Sequence, residues 1–291
     1  MAIRKAVIPA AGWGTRFLPA SKAAPKEVFA IIDRPAIQYA IEEALAAGIR
    51  DIVLVTSTGK EAIERYFKPH PELEAFLERK GDHKRLEQVR GVGKMVNITP
   101  VIQHEQLGLG HAVLMAKQAI GNEFFAVFLP DDVIEAETPA IKQLLSVHER
   151  PGGSVIAVSR VPDDEVSRYG VIDGSETAPR THRVRRLVEK PKREDAPSNL
   201  AVIGRYILSP RIFHELERVK PGAIGEIQLT DAIDALIRDE AVYAYEFEGE
   251  LLDAGTPIGL LKASVRMGLK RPDIAPEFKR WLREQIASLQ N

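Results

Sequence analysis

Three separated groups of side chains in this chain have the types and spacing to manage phosphate chemistry. The run PAAGWGTRFLPASKAAPKE, residues 9–27, sets Gly12 and Gly14 ahead of Arg16, Lys22 and Lys26. A glycine-rich turn after a buried strand lets backbone N–H groups approach an anion closely, because no Cβ blocks them. The dinucleotide fingerprint would need a third glycine where Phe17 stands, and the common NTP phosphate loop would need Gly-Lys-Ser/Thr in place of Phe17-Leu18-Pro19. Both patterns fail. What is left is a guanidinium and ammonium groups able to neutralise a polyphosphate without a helix terminus, or, on the competing reading, a tight turn with solvated basic side chains.

Asp131 and Asp253 form the second group. Each ends an apolar run, which predicts both at carboxyl ends of strands, where an open α/β sheet binds its ligands. Two carboxylates there can hold a hard cation that keeps its other positions for phosphate oxygens and water. Asp132 is an alternative to Asp131, and Asp253 read alone could be a turn or cap residue before Gly255. The third group is Glu189-Lys190, followed by Pro191. Alternation along a strand sends neighbours to opposite faces, so both serve one site only at a strand end or kink, and a proline that cannot continue the ladder agrees with that. A surface ion pair is the competing reading.

The elements that must position these groups follow from periodicity. Short Val/Ile-rich runs alternate with helical stretches, the signature of an α/β fold with a mainly parallel, Rossmann-like central sheet flanked by helices. Strands are expected at 5–10, 51–56, 97–103 and 124–130, with a helix carrying Ile37, Ala40, Ile41, Ala44 and Leu45 that Gly48 ends. Further helices are expected near Gly110 and at 139–149, after which the central sheet reads as complete. The second half offers strands in GSVIAVSRV, YGVI, RVRRLVEK and LAVIGRYIL, a mixed-sheet extension suited to substrate contacts, then a helix at 227–238 and a strand at 242–247. In a C-terminal helix, Phe278, Trp281, Leu282, Gln285 and Leu289 make one stripe, expected to face the molecule's own core.

Composition limits the function. Forty basic residues against forty-one acidic ones, net charge -1, argue against general affinity for nucleic acid or an anionic membrane. With no cysteine, thiolate catalysis and thiolate metal sites are excluded. No apolar run reaches the ~18 residues of a membrane span, and a cytoplasmic protein is expected.

The run GWGTRFLPASKAAPKE resembles the signature of the sugar-1-phosphate nucleotidyltransferases, and SKAAPKE with RPAIQY is similar to the bacterial UTP–glucose-1-phosphate uridylyltransferases among them. LGLGHAV, FLPDDV, RYGVI, VEKP, NLAVIGRY, GEIQLTDAI and LLDAGTP resemble the same family in the same order along nearly the whole chain. One departure is KEVFAIID, where Phe29-Ala30 replaces the usual aliphatic residue and proline.

The resemblance implies a GT-A-like fold in one domain over residues 1–291: a mainly nucleotide-binding half at 1–150, a mainly sugar-phosphate half at 151–270 and a C-terminal helix at 271–291. It implies Mg²⁺-assisted attack of glucose 1-phosphate on the α-phosphorus of UTP, giving UDP-glucose and pyrophosphate. Ala11, Gly12 and Gly14 would form the nucleotide loop, with Arg16 and Lys26 along the triphosphate. Gln103 would read uracil through an amide that offers both donor and acceptor, with Gly108 allowing close approach to the base. Glu189 would hold sugar hydroxyls and Lys190 the sugar phosphate, completed by Gly170, Ile203 and Glu226, while Asp131 and Asp253 would ligate Mg²⁺. His104 and His111 do not read as a metal pair, and His111 reads as structural. A homo-oligomer, dimer or tetramer, is expected. Rivals are a dTTP-using relative, a metal-dependent glycosyltransferase and a non-catalytic regulatory paralogue.

Overall fold

Runs that are apolar at nearly every position, as at Lys5–Pro9, Phe125–Phe128 and Leu200–Leu208, become strands buried on both faces, and more polar strands extend their sheet at its edges. In the computed structural model, which describes residues 3–150, 152–222 and 225–289, they build one nine-stranded sheet. The strands in chain order are β1 (Lys5–Pro9), β2 (Ala30–Ile31), β3 (Arg34–Pro35), β4 (Asp51–Thr56), β5 (Asn97–Ile102), β6 (Phe125–Phe128), β7 (Asp132–Glu135), β8 (Ser154–Arg160), β9 (Gly170–Ala178), β10 (Thr181–Glu189), β11 (Leu200–Leu208), β12 (Val242–Glu246) and β13 (Glu250–Asp253). The large sheet runs β5-β4-β1-β6-β11-β8-β12-β10-β9. Its first four strands are parallel, so the loops after β1, β4, β5 and β6 open on one edge, where α/β sheets place ligands.

The expectation that this sheet is complete by residue 149 is corrected. The free side of β6 is covered by β11, antiparallel, with Arg205 opposite Phe128, and β8, β12, β10 and β9 continue the same sheet. Every residue of β11 is buried, as a central strand requires. The hairpin β9–β10 leans back on β11 through Ala201 opposite Val171, carrying the Gly170/Glu189 end toward the ligand edge.

Helices cover both faces, giving two large core clusters, and a smaller third one gathers Ile31, Val133, Leu252 and Ala263 beside the β7–β13 pair. One large cluster gathers Val113, Phe125, Phe213 and Ile233, and the other Ile37, Ile41, Phe128 and Leu144. Phe278 packs on Gly268, but the rest of the C-terminal stripe departs from expectation. In the helix Ala275–Leu289, Trp281 is 49% exposed and Leu289 86%, so this face does not line the protein's own core. Residues 290 and 291 of that expected helix lie outside the described residues. No helix among the described residues is long and apolar enough to cross a membrane.

Candidate active site

The opening loop leaves β1 and folds into short 3₁₀ turns at Thr15–Phe17, Ala20–Lys22 and Lys26–Val28, where the prolines forbid a continuous helix. Ala11 is buried and its carbonyl accepts from Ser57 Oγ at 3.1 Å, while Gly12 is exposed and Gly14 (φ 64) packs on the Lys26 stem. Arg16 and Lys22 are exposed, and neither makes an ion pair among the described residues. Lys26 turns inward to Asp131, Nζ to Oδ2 at 2.5 Å. Removal from water works against both charges. Each nevertheless stabilises the other, so Lys26 titrates above its usual range and Asp131 below it, with Arg16 also favouring the aspartate's charge.

Asp253 ends a strand, as the sequence predicts, but not one of the central sheet. It ends β13, which pairs only with β7 in a two-stranded ribbon that sets Asp253 opposite Asp132, while the Ala254 N–H donates to the Asp131 carbonyl at 2.8 Å. The ribbon crowds Gly255 with both carboxylates: a Cβ there would lie 2.7 Å from Asp131 Oδ2 and 3.0 Å from Asp253 Oδ1. Only glycine admits that approach. Asp253 also shows the alternative turn role, accepting from the Gly255 N–H at 2.8 Å, and its other oxygen lies 3.4 Å from Arg168 Nη2. Among the described residues no group of three or more acidic or histidine side chains is placed to close around a metal. The converging pair fits a hard cation that takes most of its ligands from phosphate and water. Asp132 points elsewhere, accepting from the Gly204 N–H at 2.8 Å where a bulge interrupts the β11–β8 pairing after Ile203. Removal from water, then the Asp131 charge, push Asp132 up to about 7.

The kink anticipated at Glu189-Lys190 is present. β10 ends at Glu189, and Lys190 takes φ 43, a left-handed conformation rare for a side-chain-bearing residue. Both side chains thereby reach one side, Lys190 Nζ 3.1 Å from Glu189 Oε1, and Thr230 Oγ1 donates to Glu189 Oε2 at 2.7 Å. Gly170 stands opposite Glu189 in the β9–β10 register. Tyr169 backs this kink. Its carbonyl accepts from the Lys190 N–H at 3.0 Å, and its hydroxyl is pushed up by burial and by charges that include Asp253 and Asp132.

Gln103 follows β5, 3% exposed, with Nε2 2.8 Å from His111 Nδ1 and 3.4 Å from the Gly108 carbonyl. Its amide donor is thus engaged within the protein, unlike the free donor-and-acceptor pair expected from sequence. Gly108 (φ 98) is required by packing as well: an added Cβ would meet Glu226 Cβ at 2.8 Å. That contact puts Glu226, expected on the sugar side, against the nucleotide-side loop, where its carboxylate accepts from Gln228 Nε2. Ile203 is buried in the core and can offer a ligand only its backbone.

Sequence reasoning missed Glu27, Lys60 and Arg205. Lys60 Nζ, almost buried, donates to the Ala10 carbonyl at 2.7 Å and to Glu27 at 3.0 Å, clasping the two ends of the opening loop. Burial pushes the Glu27 carboxyl up and the Lys60 ammonium down, opposed in each case by the partner's charge. No local periodicity marks an ion pair formed across thirty-three residues, with the helix Ala36–Ala46 and strand β4 between its partners.

A glycine loop with inward lysine, paired carboxylates and a kinked Glu-Lys on one edge of an α/β sheet define a phosphate-handling transferase. The Nucleotidyl transferase family model matches residues 5–268, and the chain belongs to that family. It is 52% identical over 282 residues to the UTP–glucose-1-phosphate uridylyltransferase of Staphylococcus haemolyticus, covering 97% of this chain and 98% of that protein. UTP–glucose-1-phosphate uridylyltransferase 1 of Staphylococcus saprophyticus is 50% identical over 283 residues, covering 97% and 99%. Among solved structures, the UTP-bound UGPase from Acinetobacter baumannii superposes with a TM-score of 0.87 at 41% identity, covering 97% of this chain and 99% of that one. A UDP-glucose pyrophosphorylase complexed with UDP-glucose gives 0.84 at 41% identity, covering 92% and 100%.

Proposed function

We propose that this chain transfers the uridylyl group of UTP to α-D-glucose 1-phosphate. A phosphate oxygen of glucose 1-phosphate attacks the α-phosphorus of UTP, the bond to the α–β bridging oxygen breaks, and UDP-glucose and pyrophosphate result. No protein nucleophile is needed. The catalytic demand is to hold two anions in line and stabilise the charge growing on pyrophosphate. The observation that carries this reading is the convergence of Lys26, Asp131 and Asp253 beside the glycine loop.

In this scheme Ala11, Gly12 and Gly14 form the nucleotide loop, Gln103 and Gly108 meet the uracil, and Glu189, Gly170 and the Ile203 backbone surround the glucose. Glu226 borders both sides. Arg16 and Lys26 balance the triphosphate, and Lys190 holds the attacking phosphate. Asp131 and Asp253 are the residues that would hold Mg²⁺, which when bound offsets charge on the reacting phosphates. Asp132, half-buried and committed to the Gly204 N–H, stays a support. Lys26 neutralises Asp131 here, and substrate phosphates give it a second partner. The test is pyrophosphate release from glucose 1-phosphate with UTP, dTTP, CTP or GTP in turn. UTP should lead, and equal or better turnover with dTTP would move the assignment to a thymidylyltransferase.

The lysines should fail differently. Lys190→Ala is expected to weaken glucose 1-phosphate and UDP-glucose binding roughly ten- to a hundredfold with UTP binding nearly normal, since a charge-assisted hydrogen bond contributes about 1.5–3 kcal/mol. Lys26→Ala should instead impair the triphosphate side and the chemical step. Calorimetry with each ligand separates them, and loss of UTP binding in Lys190→Ala alone would reverse the two assignments.

We further place both substrate halves, 1–150 and 151–270, in one cytoplasmic domain that works as a dimer or tetramer. Exposed Trp281, Ile286 and Leu289 on the last helix support self-association, which sedimentation would measure.

A further inference from the structure

We infer that His111 is a specificity-determining residue, acting through Gln103: it fixes the amide so that only an acceptor faces the base. The inference rests on the reading of Gln103 as the uracil contact. The Gln103 side chain is almost wholly buried, so its two ends are not interchangeable. On one side stand the Gly108 carbonyl, 3.4 Å from Nε2, and the His111 ring nitrogen Nδ1, 2.8 Å from Nε2. A carbonyl can only accept, which selects the amide nitrogen for that side. His111 Nδ1 must then accept as well, and its ring proton belongs on Nε2. Both Gln103 N–H groups are thereby directed into the protein, and among the described residues nothing donates to Oε1.

An outward-facing acceptor has a definite consequence for a pyrimidine. Uracil carries a proton on N3 and can donate it to Oε1, whereas cytosine presents a lone pair at N3 and would set acceptor against acceptor. Thymine shares the uracil imide edge, so this device rejects cytosine and is blind to the 5-methyl group. His111 does not touch the base. It holds its place on the helix Leu109–Met115, whose start is fixed by the Gly110 N–H donating to the Ile227 carbonyl at 2.8 Å. Without an acceptor at this position the amide could turn over and offer its N–H₂ to cytosine N3.

The test compares kcat/KM for UTP, CTP and dTTP, at saturating glucose 1-phosphate, in the wild type, His111→Leu and His111→Asn. Leucine removes the acceptor, and the UTP-over-CTP ratio should fall by at least about tenfold, the loss expected when one buried hydrogen-bond match is undone. The UTP-over-dTTP ratio should not move, whereas a general loosening of the fold would lower all three nucleotides together. Asparagine can set its side-chain carbonyl near the Nδ1 position and should restore the UTP-over-CTP ratio. An unchanged ratio in an active His111→Leu enzyme overturns the inference. A tautomer measurement does not depend on how the variants fold: ¹⁵N spectra of the wild-type imidazoles should place the His111 proton on Nε2, and a proton on Nδ1 overturns it. Wild-type enzyme that released no pyrophosphate from UTP would instead defeat the proposed function, with the tautomer result still deciding the role of His111.

Discussion

Replacing Asp131 by asparagine should lower pyrophosphate release by about 10²–10³-fold, the usual scale for removing one electrostatic element from a transition state. Asparagine keeps the shape and hydrogen-bonding size of the side chain, so the change is one of charge. The fold should persist, because Lys26, left without its 2.5 Å partner, is about one-fifth exposed and can rehydrate. Asp253→Asn and a chelator should act alike. A sharper variant is Gly255→Ala, which keeps both carboxylates but drives a methyl group to within 3.0 Å of each. It should lose comparable activity through displacement alone. Full turnover in chelator would remove the cation from the reaction, and an active Gly255→Ala would show that the convergence of the carboxylates does not matter.

The convergence was only half legible in the sequence. FLPDDV and LLDAGTP each read as an apolar run closed by aspartate, and Asp131 does follow a central strand, β6. Asp253 reaches the same place by another route, the β7–β13 ribbon, and no local pattern in these four-residue strands says that they pair with each other outside the central sheet. The same limit explains β11. LAVIGRYIL reads plainly as a buried strand, but its apolar pattern cannot say that it inserts between β6 and β8 and so merges the expected extension into the central sheet. What period reads well is which face of a local element is apolar. What covers that face is set by the rest of the chain, which is why the stripe of the last helix was assigned to the core while Trp281 and Leu289 stand exposed.

Local chemistry was more readable than long-range pairing. If Glu189 and Lys190 serve one site, alternation requires a strand end or kink there, with which Pro191 agrees, and the left-handed Lys190 supplies it. Gln103 was legible as a polar residue at a strand end, but its orientation was not, because that depends on His111 and the Gly108 carbonyl together. Glu27 lies next to Lys26 in sequence and still gave no hint of its clasp on Lys60, since a charged residue in a proline-rich loop is usually solvated.

Arg205→Met should destabilise the protein by about 3–5 kcal/mol, the scale expected when one partner of a buried ion pair is removed. Arg205 is fully buried, beneath the turn that presents Asp131. Its Nη2 pairs with Glu43 Oε2 at 2.9 Å and donates to the Asp132 carbonyl at 2.7 Å, while Nη1 donates to the carbonyls of Leu129 and Gly204, both at 3.1 Å. The guanidinium therefore holds both ends of the Leu129–Asp132 turn and ties them to the helix Ala36–Ala46 through Glu43. Methionine fills much of the volume but leaves the Glu43 carboxylate without its cation. Adding Glu43→Gln should recover part of the loss, because the stranded charge is gone and the amide can still accept from the Ile141 N–H, as Glu43 Oε1 does at 2.9 Å. Recovery should stop short of wild type, since the guanidinium bonds to the Leu129, Gly204 and Asp132 carbonyls are not replaced. Urea unfolding of the wild type, both single variants and the double variant at constant slope measures each term. A loss below about 1 kcal/mol in Arg205→Met would mean that water replaces the guanidinium under the turn, and the role assigned to Arg205 would fail.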